Sequence, residues 1–308
     1  MSIRSFLSMS DISTDEFTLI LDRTKQIKEE ISRRRKLETL ENAVVGLLFE
    51  KPSTRTSAGF ELATLRLGGT PLYFSAHDLQ LGRGEPVKDT ARVLGSDLDG
   101  IVARVFLHGT LIDLAQYSGL PVINGLSDLE HPTQVVSDFF TIWEIKQKLK
   151  GLKLAYIGDG DNVCNSLILA ASMIGMNFSA ACPAGYEPDE KILKAAHNFS
   201  QRSGAMLTVT HTPAEAASAS DILYTDVWVS MGEESDSEKR MEAFAGFQIN
   251  TDLLKVARQD ALVMHCLPAH RGLEITDDVI EGKQSIVWQQ AANKIFGAAG
   301  VLEFFLTK

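Results

Sequence analysis

Residues 51–56 concentrate groups that bind anions. Their polar members are Lys51, Ser53, Thr54, Arg55 and Thr56. They follow the apolar run 43–49, so we expect a buried strand that passes into a helix near Ser53. The free amides and positive dipole end of that helix would point at a ligand beyond the strand, and the planar guanidinium of Arg55 suits phosphate oxygens. The alternative is an ordinary serine N-cap with exposed cations, and this segment alone does not decide between the two.

The overall charge limits the kind of partner. The chain has 308 residues and a formal net charge of −10, which argues against nucleic acid, because a phosphate backbone needs a basic field. A small anion must therefore meet a local cluster of cations. No sustained apolar stretch predicts a membrane span or a secretion signal, so a cytoplasmic protein is expected. The three cysteines, Cys164, Cys182 and Cys266, are too few and too widely spaced for a disulfide framework.

The elements that must position residues 51–56 form a repeating strand and helix pattern. Ser13 to Lys36 opens with a capping-box pair, Ser13 and Glu16, and continues with apolar residues at helical spacing. The strand candidates are residues 43–49, 72–75, 100–105 and 122–124, followed by "LKLAYIGDG", "FSAACP", "AMLTVTH", "DILYTDVW" and "ALVMHCLP". Strands that alternate with helices predict an α/β fold with parallel sheets.

The length predicts more than one domain. A chain of 308 residues with 44% hydrophobic residues suits two domains of roughly 150 residues each. A long helical segment near residues 132–150 leads into the new strand "LKLAYIGDG", and we place the boundary on that segment. The expected first domain is residues 1–140, completed by a C-terminal helix at about 285–308, and the expected second domain is residues 141–284.

Three other functions are compatible with parts of the sequence. "GDGDNV" (158–163) follows a strand as a dinucleotide-binding turn would, but Val163 stands at the third glycine position. His265, Cys266 and His270 could bind zinc, but their spacing matches no common structural site. A non-catalytic anion-binding module is the remaining alternative. Such a module would be expected to lose donors from its anion site, and this chain keeps nearly all of them.

Four motifs, in order along the chain, resemble the aspartate/ornithine carbamoyltransferase family. Ser53 to Thr56 and "HPTQ" (131–134) resemble the two signatures of its phosphate domain. "DVWVSMG" (226–232) and "HCLPAHRG" (265–272) resemble the signatures of its ornithine branch. The resemblance covers essentially the whole chain. It implies two parallel-sheet α/β domains with the active site in the cleft between them, the first domain holding mainly carbamoyl phosphate and the second mainly L-ornithine.

The resemblance also implies the reaction and the residues that carry it. The carbamoyl group of carbamoyl phosphate would pass to the side-chain amine of L-ornithine, giving L-citrulline and phosphate, with no metal and no cofactor. The residues implied for catalysis are Arg55, Thr56, Arg104, His131 and Cys266. Those implied for carbamoyl phosphate are Ser53, Thr54, Arg55, Thr56, Gln80, Arg104, His131, Gln134, Cys266, Leu267 and Lys294. Those implied for ornithine are Asn162, Asp226, Ser230 and Met231.

The chain departs from the family pattern at two positions. Thr133 gives the form of the "HPTQ" motif that is usual in aspartate enzymes, and Lys294 stands where the family usually has a phosphate-binding arginine. Lysine keeps the charge but loses the bidentate fork. The alternative function is that of a related carbamoyltransferase with another acceptor, such as putrescine, N-acetylornithine or aspartate. The resemblance further implies a homotrimer, or a multiple of trimers, in which Gln80 reaches a neighbouring subunit's site.

Overall fold

The computed structural model describes residues 3–75, 84–229 and 236–307. The chain divides into two compact units, Met1–Phe140 together with Asn293–Lys308 (unit 1), and Thr141–Ala292 (unit 2). Among the described residues, no helix is long and apolar enough to cross a membrane.

Unit 1 is built on a parallel sheet whose described strands lie in the order β2-β1-β3-β4. After a 3-10 turn at Met9–Asp11, its elements are α1 (Thr14–Ser32), β1 (Val44–Phe49), α2 (Thr54–Arg66), β2 (Thr70–Ser75), α3 (Val87–Asp97), β3 (Gly100–Arg104), α4 (His108–Ser118), β4 (Val122–Leu126) and α5 (Pro132–Lys146). The central strands β1 and β3 are almost wholly buried, as parallel strands covered on both faces must be.

Unit 2 is built on a second parallel sheet, whose described strands lie in the order β7-β6-β5-β8-β9. Its elements are β5 (Lys153–Ile157), α6 (Asn162–Ile174), β6 (Asn177–Ala181), α7 (Glu190–Ser203), β7 (Leu207–Thr210), α8 (Pro213–Ala217), β8 (Ile222–Thr225), α9 (Ser237–Ala243), α10 (Thr251–Leu254), β9 (Leu262–His265) and α11 (Asp277–Ile280). The last helix, α12 (Val287–Leu306), begins in unit 2 and continues into unit 1 from Asn293. The division between the units falls inside α5 and α12.

The predicted fold class is confirmed, and each predicted strand is present within a few residues of its expected bounds. The capping box at the start of α1 is also present, because Ser13 Oγ accepts the Glu16 N–H and the Glu16 carboxylate accepts the Ser13 N–H. The predicted end of that helix at Lys36 is wrong. The helix stops at Ser32, and Arg34 takes a left-handed φ of 55°, which no helix continues through.

The strand order of each sheet identifies where a ligand would bind. Open parallel sheets bind ligands beyond the carboxyl ends of their strands, at the point where the strand order reverses. In unit 1 that point lies between β1 and β3, and in unit 2 it lies between β5 and β8. Ser53 to Thr56 follow β1, and Arg104 ends β3; in unit 2, Asn162 and Asp226 follow β5 and β8.

Candidate active site

The N-terminus of α2 forms the floor of the unit 1 site. Ser53 is the N-cap in extended conformation, and its side chain accepts the N–H of Thr56 at 3.4 Å. The Ser57 hydroxyl donates to the Ser53 carbonyl at 2.6 Å, which ties the cap to the first turn. Thr54 is exposed at the first helical position. The first-turn amides of α2 therefore face the space beyond β1, as an anion-binding helix end requires.

Arg55 and Thr56 supply side-chain groups at this helix end. Arg55 is half-buried and makes no ion pair with any residue in the described ranges. Thr56 is only 1% exposed, and its Oγ1 has no hydrogen-bond partner in the described part of the chain. Buried polar atoms are costly to leave unsatisfied, so the Thr56 hydroxyl is a strong candidate for a ligand contact.

Arg104 and His131 come from the ends of two neighbouring strands. Arg104 is the last residue of β3 and is paired in register with Phe49 of β1. His131 immediately precedes α5, after β4, and is 4% exposed. Burial lowers the pKa of His131 well below its ordinary value of 6.5, and the positive charges of Lys294 and Arg104 lower it further. His131 is therefore a neutral imidazole at pH 7, which carries one N–H donor.

Lys294 reaches the same region from α12. Its Nζ donates to Gln134 Oε1 at 2.7 Å, and Gln134 Nε2 donates to Asp138 Oδ1 at 2.8 Å. All three side chains are buried. The structure thus brings the predicted residues Lys294 and Gln134 into direct contact. The positive charge of Lys294 is also close enough to His131 to lower the pKa of its ring.

In unit 2, the loop after β5 leads into α6 at Asn162. Asn162 is buried at the first position of that helix, and Asp161 is its N-cap. A Cβ added at Gly160 would lie 2.3 Å from the Pro188 nitrogen, so only glycine fits there. Packing against Pro188 therefore explains Gly160 without a bound dinucleotide. Val163, at the third glycine position of the dinucleotide-binding motif, is only 1% exposed and packs inside α6.

Asp226 stands at the carboxyl end of β8. The preceding Thr225 hydroxyl donates to the Ile157 carbonyl at 2.6 Å, and Asp226 Oδ1 accepts the Val227 N–H at 2.8 Å. Burial raises the pKa of Asp226 above its ordinary value of 3.8, although His265, Cys266 and the Val227 N–H act in the opposite direction. A cationic ligand group beside this carboxylate would relieve the cost of its burial.

The segment after β9 is fixed by His265. Its Nδ1 accepts the Leu267 N–H at 2.8 Å, and its Nε2 lies 3.0 Å from Glu274 Oε1. An Nδ1 that accepts cannot carry a proton, so the proton is on Nε2 and points at the carboxylate. Glu274 Oε1 also accepts the His270 N–H at 2.5 Å. The backbone of Cys266 and Leu267 is therefore held by a wholly buried histidine–glutamate pair.

Three side chains of the kinds that bind metal ions meet in this part of unit 2. The side-chain ligand atoms of Asp226, His265 and Cys266 lie within 4.8 Å of one another. Both ring nitrogens of His265 are already engaged, by Leu267 and Glu274. A metal ion would have to break one of these buried hydrogen bonds, so the arrangement suits a structural histidine better than a ligand.

The carboxyl end of the unit 2 sheet is rich in carboxylates. Burial raises the pKa of Tyr156 well above its ordinary value, and the nearby charges of Asp161, Asp226 and Asp159 raise it further. Asp159 pairs with Arg240, whose Nη1 also donates to the Trp228 carbonyl at 3.0 Å. The carboxyl end of the unit 2 sheet therefore favours ligands that carry positive charge.

Three predicted site residues, Gln80, Ser230 and Met231, lie outside the described residues. Three buried residues next to the site had not been predicted, namely Asp138, Glu274 and Arg240. Asp138 had a signal in the sequence, because it lies four residues after Gln134 on a predicted helix. Glu274 and Arg240 had none, since their partners His265 and Asp159 become neighbours only in the folded chain.

Two family models match nearly the whole chain. The carbamoyl-P binding domain of the aspartate/ornithine carbamoyltransferases matches residues 4–144, and the Asp/Orn binding domain matches residues 150–305. Among curated proteins, the ornithine carbamoyltransferase of Methanosarcina acetivorans is 49% identical over 292 residues, covering 95% of each chain. That of Methanocaldococcus jannaschii is 50% identical over 278 residues, covering 90% of this chain and 91% of the relative.

Solved structures show the same similarity. The ornithine carbamoyltransferase from Pyrococcus furiosus superimposes with a TM-score of 0.94 at 46% identity, covering 97% of this chain and 96% of its own. The anabolic ornithine carbamoyltransferase from Campylobacter jejuni gives a TM-score of 0.93 at 40% identity, covering 98% and 99%. Both the sequence and the fold are thus shared along nearly the full length.

Proposed function

The chain belongs to the aspartate/ornithine carbamoyltransferase family, and we propose that it transfers the carbamoyl group of carbamoyl phosphate to the side-chain amine of L-ornithine, giving L-citrulline and phosphate. Its relatives at 46 to 50% identity over 90% or more of this chain carry the name ornithine carbamoyltransferase. The observation that carries the proposal is the group of anion-binding residues at the reversal point of the unit 1 sheet. Arg55, with no ion pair among the described residues, and a buried Thr56 hydroxyl with no hydrogen-bond partner among them stand there at a helix N-terminus.

Carbamoyl phosphate binds in this proposal through the helix end and the cations around it. The first-turn amides of α2 and Arg55 hold the phosphate group, because they offer several donors and a positive charge. The full set of proposed contacts is Ser53, Thr54, Arg55, Thr56, Gln80, Arg104, His131, Gln134, Cys266, Leu267 and Lys294. Gln80 contributes to this set from a neighbouring subunit.

The chemical step needs donors for the carbonyl oxygen. When the amine attacks the carbonyl carbon, negative charge grows on that oxygen, and preorganised donors there lower the barrier. Thr56, Arg104 and His131 fill this role. The lowered pKa of His131 supports it, because a neutral imidazole donates one N–H without releasing a proton. Phosphate then leaves, and Arg55 stabilises its charge.

Ornithine binds through the residues of unit 2. Asn162 holds the α-carboxylate and Asp226 the α-ammonium, with Ser230 and Met231 completing the site. The backbone carbonyls of Cys266 and Leu267 orient the attacking amine. That amine must react in its neutral form, although a free alkylamine has a pKa of about 10.4, so binding must favour the deprotonated fraction.

The charge of the unit 2 site favours ornithine over aspartate. Asp159, Asp161 and Asp226 all act on Tyr156, and aspartate would add two more carboxylates to them. Like charges brought together out of water are strongly unfavourable. Putrescine and N-acetylornithine also carry amines and remain the alternative acceptors. They would leave Asn162 without a carboxylate or Asp226 without a free α-ammonium.

The oligomeric state, the compartment and the metabolic role are also part of the proposal. We propose a homotrimer, or a multiple of trimers, because unit 1 exposes apolar side chains that a subunit contact could cover, including Leu65, Tyr73 and Leu107. We also propose that the protein is cytoplasmic. A role in arginine synthesis is supported by two relatives that are named anabolic. We further propose that the reaction uses no metal and no cofactor.

The proposal is tested by measuring citrulline and phosphate from carbamoyl phosphate and L-ornithine. The wild-type protein should form both products in equal amounts. Arg55→Gln should reduce kcat/KM by at least about a hundredfold, because it removes a charged contact to the leaving group. Arg202→Gln, which changes an exposed arginine on α7, should leave the rate unchanged. A wild-type protein that forms no citrulline, or an Arg55→Gln variant that keeps full activity, would contradict the proposal.

A further inference from the structure

A strongly basic pocket lies at the C-terminal ends of α1 and α2 in unit 1. It has a volume of about 570 Å³ and is lined by Ile31, Ser32, Arg34, Arg35, Lys36 and Arg66. Residues 33–36 are four consecutive cations in a chain whose net charge is −10. Four of the six lining side chains are therefore positive, and none of the six is negative.

Two separate parts of the sequence meet at this pocket. The Leu40 N–H donates to the Leu67 carbonyl at 2.9 Å, and the side chains of both leucines are buried. This packing holds the segment that follows α1 against the end of α2. It therefore places Arg34 and Arg35 on the same cavity as Arg66.

The three arginines of the pocket are exposed, and their guanidinium groups make no ion pair, hydrogen bond or ring contact with any described residue. The neighbouring cations Arg33 and Lys36 are paired instead, with Glu29 and Glu38 respectively. Like charges on one cavity repel one another, and an anion that lies between them relieves that repulsion. The three guanidinium groups are therefore available to a ligand that carries several negative charges.

The backbone at Arg34 favours a functional role for its side chain. Arg34 follows the C-cap of α1 with a left-handed φ of 55°, and the next N–H, that of Arg35, returns to the Glu30 carbonyl at 3.0 Å. Glycine is the usual residue at such a position, because a residue with a Cβ is strained there. Cations near a helix C-terminus do stabilise the helix dipole, but that effect does not require arginine at the left-handed position itself.

We propose that this pocket binds an oligophosphate, a linear anion of two or more linked phosphates. A guanidinium group matches phosphate oxygens with two parallel hydrogen bonds, and three of them suit a ligand that is charged along its length. A nucleobase would find little to pack against, because Ile31 is the one apolar side chain among the described residues of the lining. The pocket is distinct from the proposed carbamoyl phosphate site, since the two lie at opposite ends of α2, whose 13 residues span about 20 Å.

Isothermal titration calorimetry with tripolyphosphate tests the site. An Arg35→Gln/Arg66→Gln double variant should raise the Kd of this site at least about tenfold, because two charge-assisted contacts are lost. Arg202→Gln, which changes an exposed arginine on α7, is the matched control and should leave the Kd unchanged. Arg55→Gln should also leave it unchanged, because Arg55 lies at the other end of α2. Binding that Arg55→Gln abolishes and the double variant keeps would overturn the inference.

Arg34→Gly separates binding from folding. Glycine suits the left-handed backbone, so the melting temperature should not fall, whereas the Kd for tripolyphosphate should rise by about tenfold. Orthophosphate should bind the wild-type protein more weakly than tripolyphosphate does, because one phosphate group engages fewer arginines. Equal affinities for the two anions, no saturable binding of tripolyphosphate, or unchanged binding in both the Arg34→Gly and the double variant would overturn the inference. Binding is measured without turnover, so the test stands even if no citrulline is formed.

Discussion

His265 Nδ1 accepts the backbone N–H of Leu267 at 2.8 Å, two residues further along the chain. The bond fixes the histidine tautomer, because Nδ1 can accept only when the proton is on Nε2. Glu274 Oε1, at 3.0 Å from Nε2, stabilises that tautomer. The position of the Leu267 backbone therefore depends on Glu274, a carboxylate outside the proposed substrate contacts.

Two replacements of His265 should show how much each of its hydrogen bonds, to Glu274 and from Leu267, contributes to catalysis. His265→Leu removes both and should lower kcat by about a hundredfold, the cost of a displacement of roughly 1 Å in a reacting group. His265→Asn keeps an acceptor near the Nδ1 position and should lose less. KM for carbamoyl phosphate should rise in both variants as well, because Cys266 and Leu267 are among its proposed contacts. Steady-state kinetics on folded protein, checked by circular dichroism, would decide, and a His265→Leu variant with normal kcat would refute the role.

His131 should remain neutral throughout the physiological range. Burial, with Lys294 and Arg104, lowers its pKa well below 6.5, so the ring should show no protonation between pH 8 and pH 6. NMR of selectively labelled histidine across this pH range would test this. A resonance of His131 that shifts with a midpoint near 6.5 would show that the ring is not desolvated as the structure indicates.

Asp226 should make the protein less stable as the pH rises. Its pKa is raised in the folded state, so the folded protein binds the proton more tightly than the unfolded chain does. The free energy of unfolding should therefore fall as the pH rises from 3.8 through the raised pKa. Asp226→Asn removes the burial of this charge and should be about 1 to 3 kcal/mol more stable at pH 7, the range for desolvating a buried polar group.

Urea unfolding of the wild type and of Asp226→Asn at several pH values would measure the difference. The advantage of the variant should shrink as the pH falls toward 3.8, while its KM for ornithine should be raised at every pH. A variant that is less stable than the wild type at pH 7 would mean that the carboxylate is well compensated by its neighbours.

The sequence predicted the parts of the fold that depend on local patterns. Apolar runs gave β1 and β3, and the pair Ser13 and Glu16 gave the start of α1. It did not predict the end of that helix, because the left-handed φ of Arg34 leaves no mark in the hydrophobic spacing. Backbone conformation at a single residue is decided by local sterics and tertiary contacts together.

The candidate site was predictable only where it lies in contiguous motifs. Ser53 to Thr56 and His131 to Gln134 stand at helix starts that short motifs reveal. The groups that support them could not be predicted, since Lys294 meets Gln134 across 160 residues and Arg240 meets Asp159 across 81. Such contacts exist only after the sheets have formed. They determine the tautomer of His265, the orientation of the Gln134 amide and the local charge around Asp159.

The most direct test of the central claim is a competition among acceptors. The purified protein is supplied with carbamoyl phosphate and equal concentrations of L-ornithine, putrescine, N-acetylornithine and L-aspartate, and each carbamoylated product is quantified. The account predicts citrulline as the dominant product, because the unit 2 site offers carboxylates for the ammonium groups and Asn162 for the carboxylate. A dominant product from any other acceptor, or no carbamoylated product at all, would contradict it.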